Sequence, residues 1–170
     1  CFLDNNIEFS SLYGVSAGAG HACSYLSKQR GRAFHASTDY LKGYDYAGLK
    51  TFLKTGSLFN MDFIYETIPN RLLHLDSEAF NSNPMDFYAV VTSCESGDAE
   101  YIKMTDYYSQ MNVIRASGSL PGLAPAVEID GKMYYDGGVS DSIPLQKSIS
   151  DGNTKNVVVL TRDKSYKKSK

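Results

Sequence analysis

The sequence predicts a layered α/β fold, and three observations carry that expectation. β-prone runs alternate with segments of helical periodicity along the chain. One strand runs straight into a glycine-rich turn and then a helix of small residues, in "LYGVSAGAG" (12–20). A strongly apolar run, "KNVVVLTR" (155–162), reads as a strand inside a sheet.

The elements follow in order. Residues 7–13, "IEFSSLY", predict a short buried strand ending at Gly14. Residues 17–29, "AGAGHACSYLSKQ", predict a helix whose small side chains let it pack close to a sheet. In "DYAGLKTFLKTGS", Leu49, Phe52 and Leu53 stand at helical spacing and Gly56 is a stop signal. "MDFIYETIPNRLLHL" is apolar and broken by Pro69, which predicts two short elements. A hairpin follows, with a strand over 87–94, a Ser-Gly-Asp turn and a return strand over 100–104. "YSQMNVIRASGS" predicts a helix. "APAVEIDGKMYYDGG" predicts a second hairpin, its Asp130-Gly131 pair suiting a two-residue primed turn. "SIPLQKSISDG" is a helix with Pro144 near its start and Gly152 at its end.

Composition narrows the function. At 170 residues the chain suits one domain, 1–170, with a real core. A net charge of -2 gives no reason to expect nucleic acid as a partner. Cys1, Cys23 and Cys94 form no CxxC pair or zinc spacing, so the chain reads as reduced and cytoplasmic. No stretch approaches the ~20 apolar residues of a membrane-spanning helix. The start at Cys1, in what reads as a helix tail, suggests a chain incomplete at its N-terminus.

Gly14, Gly18 and Gly20 are open to two readings. A phosphate-binding loop would bring backbone N–H groups and a helix N-terminus up to a dinucleotide. Asp39 lies about 20 residues on, where a ribose-binding acid belongs. Tyr46 and Lys50 form a YxxxK pair like that of short-chain dehydrogenases. Against an NAD(P)-binding oxidoreductase, the segment before Asp39 is polar and glycine-broken rather than a buried strand, and Tyr46 follows Gly14 too soon.

The other reading is a nucleophile elbow. Gly14-Val15-Ser16-Ala17-Gly18 fits G-x-S-x-G, in which glycines clear the space around a serine on a sharp strand-to-helix turn. The Ala17 N–H then faces a developing oxyanion. A serine needs a base, and no histidine follows His74. His21 lies about 140° around its helix from Ser16, His35 falls in a polar loop, and His74 sits between leucines. Asp136 is the remaining candidate: it ends a predicted strand, and Gly137 and Gly138 let the chain turn tightly beside another backbone.

At this pair the sequence resembles the patatin-like phospholipase family, in its bacterial single-domain form. Gly14-Val15-Ser16-Ala17-Gly18 matches that family's G-x-S-x-G, and Asp136-Gly137-Gly138 matches its D-G-G/A, 120 residues on. The resemblance implies a three-layer α/β/α sandwich with a mainly parallel central sheet. It implies hydrolysis of a lipid or phospholipid ester through a Ser16–Asp136 dyad and an acyl-enzyme. Gly14, Ala17, Gly18, Gly137 and Gly138 would support the motif and the oxyanion. No cofactor or metal is implied.

One departure stands out. The family's glycine-rich oxyanion loop has no counterpart in residues 1–13, so the sequence reads as lacking a first strand and that loop. A chain without that loop can be inactive, or a non-catalytic lipid-binding relative. The region 52–75 is rich enough in apolar residues to line an acyl-chain pocket, though core packing explains it equally. The tail from Arg162 to Lys170 carries five basic residues against one acid. A solvated tail explains it more simply than peripheral contact with anionic lipid at a membrane.

Overall fold

The computed structural model describes residues 2–41, 46–163, 165 and 166. Its centre is β2 (Asp86–Ser93), a strand whose near-continuous apolar run is buried on both faces. Phe87, Ala89 and Val91 point to one side, and Tyr88 and Val90 to the other. Along one edge β2 pairs antiparallel with β3 (Ala99–Met104). Its other edge is shared by two strands. β1 (Ser11–Val15) runs parallel to β2 over Asp86–Val90, and β5 (Lys132–Asp136) runs antiparallel over Val91–Ser93. β4 (Val127–Ile129) pairs with β5 as the expected hairpin, with Asp130 and Gly131 both at positive φ (48° and 78°), as a primed turn requires.

The expected α/β architecture, a central sheet flanked by helices, is present, and the sheet is mixed. Its parallel character is concentrated at β1–β2, because the two hairpins join neighbouring strands that must run antiparallel. Helix α1 (Ala17–Leu26) packs on β1 and α5 (Met111–Ser117) on β2, β4 and β5. Ala19, Ala22, Cys23 and Leu26 of α1 meet Phe87, Ala89 and Val91 there, with Val113, Ile114 and Ala116 of α5. Burying each large apolar side chain of this set contributes about 1.5–3 kcal/mol. On the opposite face Tyr13 stacks on Tyr88 at 5.1 Å and donates to Asp151 at the end of α6 (Leu145–Ser150). Lys147 of α6 lies over the Tyr101 ring. Pro144 caps the start of α6 and Gly152 follows it at φ 91°, the expected punctuation.

Four local expectations are corrected. β1 begins at Ser11 rather than residue 7, since a 3₁₀ turn over Leu3–Asn5 leaves Ile7 exposed before the chain joins the sheet. Pro69 does not divide its segment. Phe63–Leu72 is one π-helix, closed by the Leu73 N–H donating to Ile68. Widening the turn to i→i+5 bonds relieves the clash between the proline ring and the carbonyl four residues back. The stretch holding His35 is helix α2 (Arg32–Thr38), not a loop. The apolar run 155–162 forms no strand; Val157 is 62% and Val159 74% exposed. Its apolar pattern favours a strand, yet it pairs with none of the described strands, although β1, β3 and β4 each pair on one side only. Most of the basic tail lies outside the described residues. Helix α3 (Leu49–Thr55) ends at Gly56 in the left-handed conformation, as its stop signal predicted, and α4 (Ser77–Asn81) follows, capped by the Asp76 side chain. No helix of the described residues is long and apolar enough to cross a membrane.

Candidate active site

Ser16 joins β1 to α1 at φ 54°, ψ -127°, a backbone state that costs a residue with a Cβ about 1–3 kcal/mol. Three features hold it there. Gly14 has no side chain because one would stand 2.7 Å from the Ala19 Cα, so only glycine lets α1 fold back this tightly on β1. The Ser16 N–H donates to the Ser117 hydroxyl at 3.0 Å. The Ser16 carbonyl accepts from the Ala19 N–H at 2.9 Å. Serine is a common helix cap, yet the Ser16 side chain makes no capping bond, and its hydroxyl is left for other use. Ala17 and Gly18 are exposed, and the N–H groups of a first helical turn have no intrahelical acceptor. The expected clearance role falls to Gly14 alone, since a Cβ on Gly18 would meet nothing within 4 Å. Gly20 likewise faces open space rather than the sheet.

The sheet register brings the two motifs together. β1 ends with Val15 opposite Val90, and β5 ends with Asp136 opposite Val91. The two strands lie end to end on one edge of β2, running toward each other, so their C-terminal residues meet. Gly137 then presses on β2: a Cβ there would stand 2.3 Å from the Val90 carbonyl oxygen. At Gly138 a Cβ would lie 3.8 Å from Val15 Cγ1, which sets the second motif beside the first.

Asp136 is 1% exposed and its main chain is fixed on both sides. Its N–H donates to the Ser119 carbonyl at 2.8 Å, and its carbonyl accepts from the Thr92 hydroxyl at 2.8 Å. Oδ1 accepts from the Gly138 N–H at 2.7 Å. Oδ2 is buried with no hydrogen-bond partner. Burial pushes the carboxyl pKa up from its ordinary value; the nearby Ser16 hydroxyl and the Gly138 N–H pull against that shift. A buried carboxylate oxygen without a donor is costly, and it sits where the uncommitted Ser16 hydroxyl is near.

A cavity of about 240 Å³ opens beside Ser16. Phe59, Met61, Ile64, Tyr65 and Ile68 give it an apolar wall, drawn from the 52–75 region, whereas Leu53 of that region is 79% exposed. Tyr65 reaches Gly118, where a Cβ would stand 2.1 Å from the phenol oxygen. Burial raises the Tyr65 pKa, so the hydroxyl stays protonated.

Among the described residues no histidine hydrogen-bonds to Ser16 or Asp136, although His21 lines the same cavity. His21 bonds to Ser37, and His35 pairs with Asp39 at 2.8 Å on exposed helix surface. Asp39 closes α2 and ends no strand, which removes the ribose-binding geometry. Cys23 is buried and its thiol pKa is pushed up to about 12. Sequence reading missed Ser117, Ser119, Tyr65 and Arg32. The only signal for the serines was the small-residue run "ASGS" before the hairpin that delivers Asp136.

The chain is similar to YjjU of Escherichia coli strain K12, an uncharacterized protein, with 29% identity over 158 residues. The match covers 90% of this chain and 43% of YjjU, so the chain spans less than half that relative's length. The profile of the patatin-like phospholipases, a family of lipid acyl hydrolases, matches residues 2–148. With most of its length matched, the chain belongs to the patatin-like phospholipase family.

Proposed function

We propose that the protein hydrolyses the acyl ester of a lipid or phospholipid, with Ser16 as nucleophile and Asp136 as base. The observation that carries this reading is the buried, unpartnered Oδ2 of Asp136 beside a serine hydroxyl that caps nothing. Asp136 takes the Ser16 proton as Oγ attacks the ester carbonyl. The oxyanion that forms lies at the N-terminus of α1, where the Ala17 and Gly18 N–H groups and the helix dipole favour negative charge. Asp136 then gives its proton to the leaving alcohol, and the acyl group stays on Ser16. Water enters, gives its proton to Asp136 and attacks the acyl-enzyme. The proton returns to Ser16 Oγ as the fatty acid leaves. Every proton in the cycle is carried by these two side chains, water and substrate.

The burial of Asp136 serves this role. A carboxylate of ordinary pKa is a weak base near neutrality, and burial moves it closer to the working pH. The apolar cavity gives an acyl chain a place to lie beside Ser16. The test is release of free fatty acid from phosphatidylglycerol vesicles and of p-nitrophenol from p-nitrophenyl alkanoates. Activity that falls at least 10²-fold in Asp136→Asn supports the reading. Wild-type activity in that variant overturns it.

A further inference from the structure

The cavity beside Ser16 holds a charged group that acyl transfer does not use. Arg32, the first residue of α2, lines it and is only 8% exposed. Its guanidinium carries five N–H donors. Nε donates to the His74 carbonyl at 3.4 Å, one Nη to the Ser24 hydroxyl at 3.0 Å and the other to the Leu73 carbonyl at 2.8 Å. One N–H on each Nη has no acceptor among the described residues. All three acceptors are neutral, no ion pair to Arg32 is present among the described residues, and the strongest influences on the charge are burial and the neighbouring Tyr107, Cys23, Tyr40 and Tyr108. The carbonyls anchor the guanidinium without neutralising it. A buried cation with no counter-ion is costly unless something else supplies the anion.

Its position relative to Ser16 follows from α1. Ser16, Gly20 and Ser24 line the cavity, four residues apart and so on one face of the helix. Ser24, the acceptor of the Arg32 bond, lies eight residues beyond Ser16, about 12 Å along the axis. Gly20 between them leaves the floor open. The cavity thus links the nucleophile to a guanidinium along an apolar wall.

Resting on the hydrolase reading, we propose that Arg32 binds a terminal oxyanion on the acyl chain. That group, a carboxylate or a phosphate, would lie about nine carbons from the ester carbonyl that Ser16 attacks, the reach of an extended chain over that span. The preferred acyl group is then an ω-anionic one rather than a plain alkyl chain. The two free N–H groups match the two oxygens of such an anion.

The test compares three p-nitrophenyl esters of nine-carbon acids: one with an ω-carboxylate, one with an ω-phosphate, and one ending in a methyl group. The expected result is a kcat/KM at least tenfold higher for one or both anionic esters, carried mainly by KM. Whichever of the two is preferred identifies the source of the oxyanion. Arg32→Gln should abolish the preference and Arg32→Lys should keep part of it. A purely structural role would lower the rate on all three esters alike. If the wild-type protein cleaves the methyl-ended ester as well as the others, the subsite is overturned and the hydrolase reading stands. If it cleaves none and Ser16 resists a fluorophosphonate, the hydrolase reading fails and the subsite with it. Both decisions rest on the wild-type protein, so they hold even if a variant does not fold.

Discussion

Replacing Gly137 with alanine would place a Cβ 2.3 Å from the Val90 carbonyl oxygen and 2.5 Å from its carbonyl carbon. Ordinary contact begins near 3.4 Å, so about 1 Å must be found, and neither side can yield cheaply. Val90 is fully buried and paired to β1 on one edge and β3 on the other. Asp136, on the other side of the peptide, is fixed by Ser119 and Thr92. Overpacking a rigid site costs typically 1–3 kcal/mol, and a clash with main chain belongs at the top of that range, about 3 kcal/mol. For a chain of this size each kcal/mol moves Tm by about 2–4 °C, which gives a fall of about 6–12 °C. The strain falls on the residue after the proposed base, so fluorophosphonate labelling should slow further than the Tm loss alone explains. The assay is thermal unfolding by circular dichroism with labelling rates measured well below Tm. Gly18→Ala is the control: open space and a helical position predict unchanged or slightly raised stability, by up to about 1 kcal/mol. If Gly137→Ala melts within 2 °C of wild type and labels at the wild-type rate, the close approach at Val90 does not position Asp136.

Three further outcomes are expected. Labelling should rise with pH as Asp136 ionises, through a midpoint above the ordinary carboxylate value of 3.8 because burial disfavours the charge. The same shift sets the stability trend. Protonated Asp136 favours the folded state below pH 3.8, and that contribution is lost as pH rises through the raised folded-state value. Asp136→Asn should therefore flatten this part of a Tm-against-pH curve; an unchanged curve would contradict the buried-carboxyl account. Ser117→Ala removes the acceptor for the Ser16 N–H, and an unmet buried donor costs about 1–3 kcal/mol. Slower labelling should accompany the loss, with Ser117→Thr recovering part of it; full activity in Ser117→Ala would show that the elbow holds itself.

The readable parts of the fold were those whose chemistry is local. Asp130-Gly131, Gly56, and the Pro144–Gly152 pair each demand a particular backbone state, and the chain adopts it. Gly14 and Gly137 were visible as motif glycines, but the atoms they make room for, the Ala19 Cα and the Val90 carbonyl, belong to neighbours set by tertiary packing. Gly18 carries the same motif signal with no steric reason behind it, so motif position alone did not reveal which glycine clears space. Ser117, Ser119 and Arg32 act through contacts that sequence spacing does not encode. A serine in "ASGS" looks like any serine at a helix end until α5 sets it against the elbow. Val157–Leu160 erred the other way, since an apolar run predicts a strand but a strand exists only through its pairing, and this run pairs with none of the described strands.

The most direct measurement of the central claim is the site of covalent labelling. The protein is treated with a fluorophosphonate, digested, and the adduct located by tandem mass spectrometry. The account predicts one adduct, on Ser16, absent from Ser16→Ala and formed at least 10²-fold more slowly in Asp136→Asn. An adduct on another residue, or labelling that persists in Ser16→Ala, would contradict it.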